Sequence, residues 1–437
     1  MTSYNPMRAL PTKSGYGKGD VLVLCGELFG RGYANGIVEE ATRRGMTIIG
    51  TTVGRRETDG TLRHLTAAEL HEAEQNLGGR VINIPLEAGF DLQPADDGRS
   101  PADQLKGVKP DAWESVRLDW DNIEQARLLG LARFKANLAS VVTELEKMIP
   151  ANANVLFAHI IGGGMPRARM LMPVFNKVFK GQGERYLSSA AFWGSELGRL
   201  CKLSFDEVTA DTFAHLIEAT DSLRQAIIAR GHKAAYSAYG YHGCEALING
   251  TYTWQSYTPY VPGWAKMRLE EIAAAARSRG IGATVFNSPE IQTNSSALFM
   301  GVEIPLYLFL EALQKEGATA LAAELREECR TLLRDDVTIE QMLAAATSYL
   351  ASPVLNQFAA FETWPHHNTP EQAELMLNCS ARLMGMNRNP KEIVCAALST
   401  AVVNGVGKLI LDSMWEPKAH VYWLNHDIIA RRLAQGE

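Results

Sequence analysis

The sequence predicts a doubly wound α/β fold, a parallel sheet with helices on both faces, followed by a helical C-terminal extension. Three observations predict it. A short apolar run is followed at once by glycines and then by a helical pattern. Strand-length and helix-length segments then alternate to about residue 317. Beyond that point helical periodicity takes over, broken by Pro353, Pro365, Pro370 and Pro390. Alternation of this kind builds a sheet covered by helices on both sides.

Residues 21–24 are a continuous apolar run of strand length, and residues 34–44 carry Ile37, Val38 and Ala41 on one helical face. Residues 46–51 are a second apolar, β-branched run. Together they make a βαβ unit, whose crossover is right-handed. Residues 81–86 read as a third strand, 87–121 as a polar, proline-bearing insertion and 122–148 as a long amphipathic helix. A fourth strand over 155–161 ends in Gly162, Gly163 and Gly164. A helix is expected over 205–230, a fifth strand over 233–238, a helix over 267–279 and a sixth strand over 281–286. Residues 1–317 therefore read as one domain. Strand signals stop after it, and residues 318–437 read as a helical cap or an oligomer contact.

Composition narrows the function classes. The chain has 437 residues, of which 46% are hydrophobic and 21% charged, enough apolar material for a sizeable core. Its formal charge of −6 provides no bulk cationic field for nucleic acid or an anionic membrane. The six cysteines are scattered without a CxxC pair and read as buried, reduced thiols. Residues 1–20 have no apolar core of a signal peptide, and Asn404, Gly405, Gly407 and Lys408 interrupt the most apolar C-terminal run. That run falls short of the roughly 20 apolar residues a span requires. A cytoplasmic location without a membrane span is expected. His366, His367, His420 and His426 show no helical ligand spacing, so no metal site is expected.

Gly26, Gly30 and Gly32 form a G-x3-G-x-G turn between the first strand and the first helix. Glycine suits that place because backbone N–H groups must approach a pyrophosphate without Cβ atoms in the way. The helix N-terminus then adds partial positive charge. The second strand runs into Arg55 and Arg56, with Glu57 only afterwards. Arginine at the strand end accommodates a 2′-phosphate, so NADPH is the expected cofactor, with NADH as the alternative. Gly162 and Gly163 offer small residues against which the adenosine ribose could lie.

Residues 236–266 are rich in tyrosine and end in Lys266, at the carboxyl side of the sheet where doubly wound folds bind ligands. Reduction beside a nicotinamide needs a proton donor opposite the hydride, and a phenol serves when a cation lowers its pKa. No tyrosine has a lysine four residues later, which argues against an ordinary Tyr-x3-Lys alcohol dehydrogenase.

The segment resembles the long-spacing enoyl-ACP/trans-2-enoyl-CoA reductases of the FabV type, Rossmann enzymes of the short-chain dehydrogenase-like superfamily. There Tyr and Lys are separated by eight residues, as Tyr257 and Lys266 are. Thr253-Trp254 before the tyrosine and Gly263 and Ala265 before the lysine agree. So do Tyr239-Gly-Tyr241-His-Gly243-Cys-Glu245, Gln292-Thr293-Asn294-Ser295-Ser296 and Ile304-Pro305-Leu306-Tyr307-Leu308. The opening KSGYGKGDVLVL and the glycine turn are more similar still to the FabMG group of enoyl-ACP reductases. The segment between Glu245 and Trp254 is longer than in the FabV type, whose tail also differs and whose ribose-side residue is acidic. The resemblance implies reduction of the C2=C3 bond of a 2-enoyl thioester in fatty-acid synthesis, carried by CoA or acyl carrier protein. It implies Tyr257 as proton donor, with Tyr260 as rival, and Lys266 on the ribose. Tyr241 would support the thioester carbonyl and Thr293 would contact the carboxamide. The competing readings are a carbonyl oxidoreductase of the same fold and a non-catalytic dinucleotide sensor.

Overall fold

The computed structural model describes residues 4–12, 15–179, 189–241, 243–255, 262–293, 301, 303–356, 369–390 and 395–436. Along the chain come β1 (Val21–Cys25), β2 (Thr47–Thr52), the two-residue β3 (Arg55–Arg56) and β4 (Leu62–Arg63), and β5 (Arg80–Pro85). They are followed by β6 (Val155–His159), β7 (Ala234–Gly240), β8 (Cys244–Ile248), β9 (Thr251–Gln255), β10 (Ala283–Asn287) and β11 (Val421–Trp423). Seven of them pair in parallel in the order β11-β10-β7-β6-β1-β2-β5. The chain winds outward from β1 to β5, returns to place β6 beside β1, and winds outward the other way. Val21 accordingly faces Thr47 on one side and Val155 on the other. The crevice at that reversal is where such sheets take ligands.

Strand periodicity divides the core in two. Leu22 and Leu24 of β1 join Ile48, Leu156 and Phe286 on one face, while Val21 and Val23 join Ile49, Phe157 and Val285 on the other. Successive side chains point to opposite faces, and both faces are covered, so β1 reads as an unbroken apolar run. The second face is covered by helices Trp120–Met148, Glu196–Phe205 and Gly263–Ser278. Asp119 caps the long helix by accepting the Asn122 N–H. The insertion packs there too, burying Phe90, Leu105, Trp113 and Val116.

The first face is covered by helix Ala34–Arg43 and by C-terminal helices, chief among them Ala396–Trp415. These two cross at glycines. A Cβ on Gly36 would lie 2.0 Å from the Val403 carbonyl oxygen, and one on Gly407 would lie 2.1 Å from the Gly36 carbonyl carbon. The tail is thus part of the same packing as the sheet.

Two sequence expectations are corrected, and one pair of strands goes beyond them. Strands do not stop after residue 317, because β11 completes the sheet against β10, Val285 facing Val421. Three residues are too few for periodicity to register, and the open edge of β10 imposes the extended form, with the Val285 N–H donating to His420 O at 2.9 Å. β8 and β9 form an antiparallel hairpin that was not anticipated. Its signal was present: Asn249-Gly250 between two apolar runs, with φ of 49° and 79°, suits a type I′ turn. The expected 205–230 helix is divided into a π-type turn Asp206–Asp211 and helices Thr212–Ala219 and Asp221–Ala229. Among the described residues, no helix is long and apolar enough to cross a membrane.

Candidate functional site

The carboxyl ends of β1, β2, β6, β7 and β10 open into one cleft with a volume of about 640 Å³. Gly26 closes the turn after β1 with φ 127°, and a Cβ there would press to 2.8 Å from Ile160 Cγ1. Its N–H donates to Thr51 Oγ1 at 2.8 Å, which ties the turn to β2. At Gly30, Gly32, Gly162 and Gly163 a Cβ would meet nothing within 4 Å, so backbone there borders open space. Asn35 Nδ2 donates to Phe29 O and Gly32 O, both at 3.0 Å, and holds the loop's shape. The helix that starts at Ala34 has no acidic residue in its first turn and no side-chain cap, so its positive end is left for an anion. Across the cleft, Gly163 is held at both N–H and C=O by Thr209 Oγ1 of the π-type turn, at 3.0 and 2.7 Å. A glycine-lined groove with an uncapped helix end fits a pyrophosphate; of the expected glycines, Gly32, Gly162 and Gly163 line the cleft, and Gly26 and Gly30 stand in the turn beside it.

Arg55 and Arg56, expected at the 2′-phosphate, are engaged with protein groups. Both are taken up by carboxylates: Arg55 by Glu27, 2.8 Å from its Nη2, and Arg56 by Glu87 and Gly60 O. It is Glu27, Val53 and Glu87 that line the cleft, and neither arginine is among its lining residues. Glu27 belongs to the glycine turn itself and reaches over the end of β2. Its carboxylate accepts from Thr52 Oγ1 at 2.7 Å and from the Val53 N–H at 3.2 Å. Burial works to raise this carboxyl, but Arg55, Thr52 and Val53 outweigh it and hold it below the ordinary carboxylate range. Sequence reasoning did not reach Glu27, although it directly follows Gly26, because it stands on the loop after β1 and not at the end of β2.

Lys266 lies in the first turn of helix Gly263–Ser278, and its Nζ donates to Tyr239 O at 2.6 Å. That contact pins the ammonium to the end of β7, inside the cleft. Burial pulls its pKa down to about 8. His159, at the end of β6, is pushed down to about 3 by burial and then by Lys266, and its neutral ring bonds Thr212 Oγ1 at 2.8 Å. Tyr239 stacks on Tyr33 with centroids 5.9 Å apart. Tyr241 and Thr293 also line the cleft, with Glu290 between the elements that carry them. Tyr257 and Tyr260 lie outside the described residues. Glu290 was not anticipated, because a single acid after β10 has no motif to mark it.

A crevice of this form at the strand-order reversal, with a desolvated lysine beside it, defines a dinucleotide-dependent reductase of the Rossmann class. The model of one family, the enoyl-acyl carrier protein reductase FabMG, matches residues 3–433. The chain therefore belongs to the FabMG family of enoyl-acyl carrier protein reductases, which reduce the double bond of 2-enoyl thioesters in fatty-acid synthesis. A solved apo structure of FabMG is similar to it at 47% identity, covering 100% of this chain and 99% of that one, with a TM-score of 0.95. An NADH-bound structure of FabMG is 40% identical, covers 100% of both chains and has a TM-score of 0.79. No curated protein matches.

Proposed function

We propose that this chain reduces the C2=C3 bond of an enoyl thioester on acyl carrier protein with NADH as its cofactor. The observation that carries the cofactor choice is Glu27. A carboxylate after β1 can accept the hydroxyls of an adenosine ribose, and by holding Arg55 in an ion pair it leaves that guanidinium unavailable to the 2′-phosphate of NADPH. The FabMG relative solved with NADH supports the same choice.

When bound, NADH supplies the hydride for C3. The chain's own residues do the rest. Gly26, Gly30, Gly32 and the start of the first helix receive the pyrophosphate, Gly162 and Gly163 border the adenosine side, and Thr293 meets the carboxamide. Lys266 holds the ribose and keeps positive charge near the proton donor. Tyr241 offers its O–H to the thioester carbonyl, where negative charge develops. Tyr257 delivers the proton to C2, a role that rests on its spacing from Lys266 and on the family resemblance.

The test is absorbance-monitored oxidation of NADH and NADPH by the full chain with 2-enoyl thioesters on carrier protein and on CoA. The expected result is kcat/KM at least about tenfold higher with NADH, a margin that Glu27→Gln narrows by removing the charge. Equal or NADPH-favouring values would remove the cofactor assignment. Cofactor oxidation with ketones but not with enoyl thioesters would remove the substrate assignment.

A further inference from the structure

The loop after β6 is fastened by a side chain that the mechanism above does not use. Thr209 is fully buried in the π-type turn Asp206–Asp211. Its hydroxyl accepts the Gly163 N–H at 3.0 Å and donates to the Gly163 carbonyl at 2.7 Å, so one side chain holds both polar groups of one residue. Gly163 has φ 103°, in the left-handed region that favours glycine. The next residue lies directly on the turn: a Cβ on Gly164 would stand 2.6 Å from Ser204 O and 3.0 Å from Val208 Cβ. The turn is itself anchored by three acids. Asp206 accepts from Lys202 at 2.7 Å, Asp211 accepts from Arg268 at 2.7 Å, and Glu207 pairs with Arg127. Gly162 differs from its neighbours. It is exposed and lines the cleft, and among the described residues its N–H and C=O have no protein partner.

We propose that Thr209 is a positioning residue for NADH on its adenosine side: by clamping Gly163 at both N–H and C=O it fixes the loop, so that the unpaired backbone groups of Gly162 meet the hydroxyls of the adenosine ribose. This rests on the cofactor reading given under the proposed function. A ribose hydroxyl is both donor and acceptor, and a free amide N–H beside a free carbonyl complements it. Those two groups stay in place only if the residues on either side of them do. Ile161 is held by its burial in the core, but Gly163 has no side chain to hold it. An unclamped glycine visits positive and negative φ about equally, and a loop that the cofactor must order binds it less tightly. The Thr209 hydroxyl supplies the missing hold. π-type turns recur at functional sites, and this one gains a reason for its place beside the cleft. Only serine or threonine puts a donor and an acceptor on one short side-chain oxygen, whereas valine matches the shape of threonine and offers neither.

Thr209→Val and Thr209→Ser test this in the full chain by titrating the fluorescence of bound NADH, with thermal melting, kcat and both KM values measured alongside. Valine removes both hydrogen bonds, so the NADH dissociation constant should rise by about tenfold. kcat and the KM for the enoyl thioester should stay within about twofold, because nothing at the reacting end changes. Serine keeps both bonds and should bind NADH within about twofold of wild type. ADP-ribose, which carries the adenosine side without the nicotinamide, should lose affinity for the valine variant in the same ratio, read by displacement of NADH. Gly163→Ala decides the matter even if Thr209→Val fails to fold. A Cβ there meets nothing within 4 Å, so only the φ of 103° is disturbed, and NADH and ADP-ribose should again weaken together. Unchanged NADH affinity in the valine variant, serine as weak as valine, a loss for NADH that ADP-ribose does not share, or a fall in kcat with NADH affinity retained would overturn the proposal and leave the proposed function standing. Wild type that binds neither NADH nor ADP-ribose would instead remove the cofactor reading beneath it.

Discussion

Lys266 is held by a backbone carbonyl at the wall of the cleft, and its ammonium is lost near pH 8 because burial disfavours the charge. The two pH consequences have opposite signs. Its folded pKa lies below the ordinary lysine value of 10.5, so between the two the unfolded chain binds the proton that the folded one has released, and stability rises with pH there. NADH binding should move the other way, weakening as pH passes about 8, because the group proposed to hold the ribose loses its charge. Titrating the NADH dissociation constant from pH 6.5 to 9.5 checks this, and Lys266→Met should give weak binding with no such slope. Tyr257→Phe should leave binding intact and lower kcat by on the order of 10² to 10⁴. At this scale Lys266, Gly32, Gly162 and Gly163 were legible as cleft residues, because each stands at a fixed place relative to the end of a strand. The sequence did not single out Glu27, since a lone acid has no spacing and is identified only when the fold sets it against Arg55. The pairing of Arg55 and Arg56 was illegible for a related reason, as a charge in a loop says nothing about the carboxylate that will meet it.

Between elements, helices Ala34–Arg43 and Ala396–Trp415 approach closely where they cross. Backbone meets backbone at Gly36 and Gly407, so any side chain there must push the helices apart. Gly36→Ala or Gly407→Ala should each cost about 1–3 kcal/mol, read as a lowered urea midpoint at unchanged slope. The pair should be less than additive, because one displacement relieves both contacts. Because Gly36 sits just behind the glycine turn, the same variants should also weaken NADH binding. Long elements such as the 120–148 helix were legible because many apolar positions repeat at helical period. The β8–β9 hairpin carried a turn signal, but its meaning lies in what it joins. Glu245 accepts both Arg8 Nη2 at 2.7 Å and Asn425 Nδ2 at 2.7 Å, linking the hairpin to segments far away in sequence.

For the whole molecule, the sheet is complete only with its seventh strand. Trp423 of β11 is fully buried, and the Met7 N–H donates to its carbonyl at 2.9 Å. Trp423→Ala should therefore destabilise by about 3–5 kcal/mol, in the range for large core truncations, and should do so cooperatively across the sheet. Unfolding followed by near-UV and far-UV dichroism should give one shared, lowered midpoint. Two separated transitions would mean that the tail folds apart from the sheet. Six strands could be located along the chain from alternation, but the seventh could not. Its conformation is set by β10 and by the 5–7 segment rather than by its own residues.

The late arrival of β11 bears on how the chain is made. While it is being synthesised, β10 emerges some 130 positions ahead of the strand that will cover it, counting from Asn287 to Val421. Until then a row of unpaired amide and carbonyl groups faces the crowded cell, and such an edge can capture any extended neighbour. Ribosome-bound fragments that stop short of Val421 should accordingly be the species that chaperones retain and that precipitate when released early.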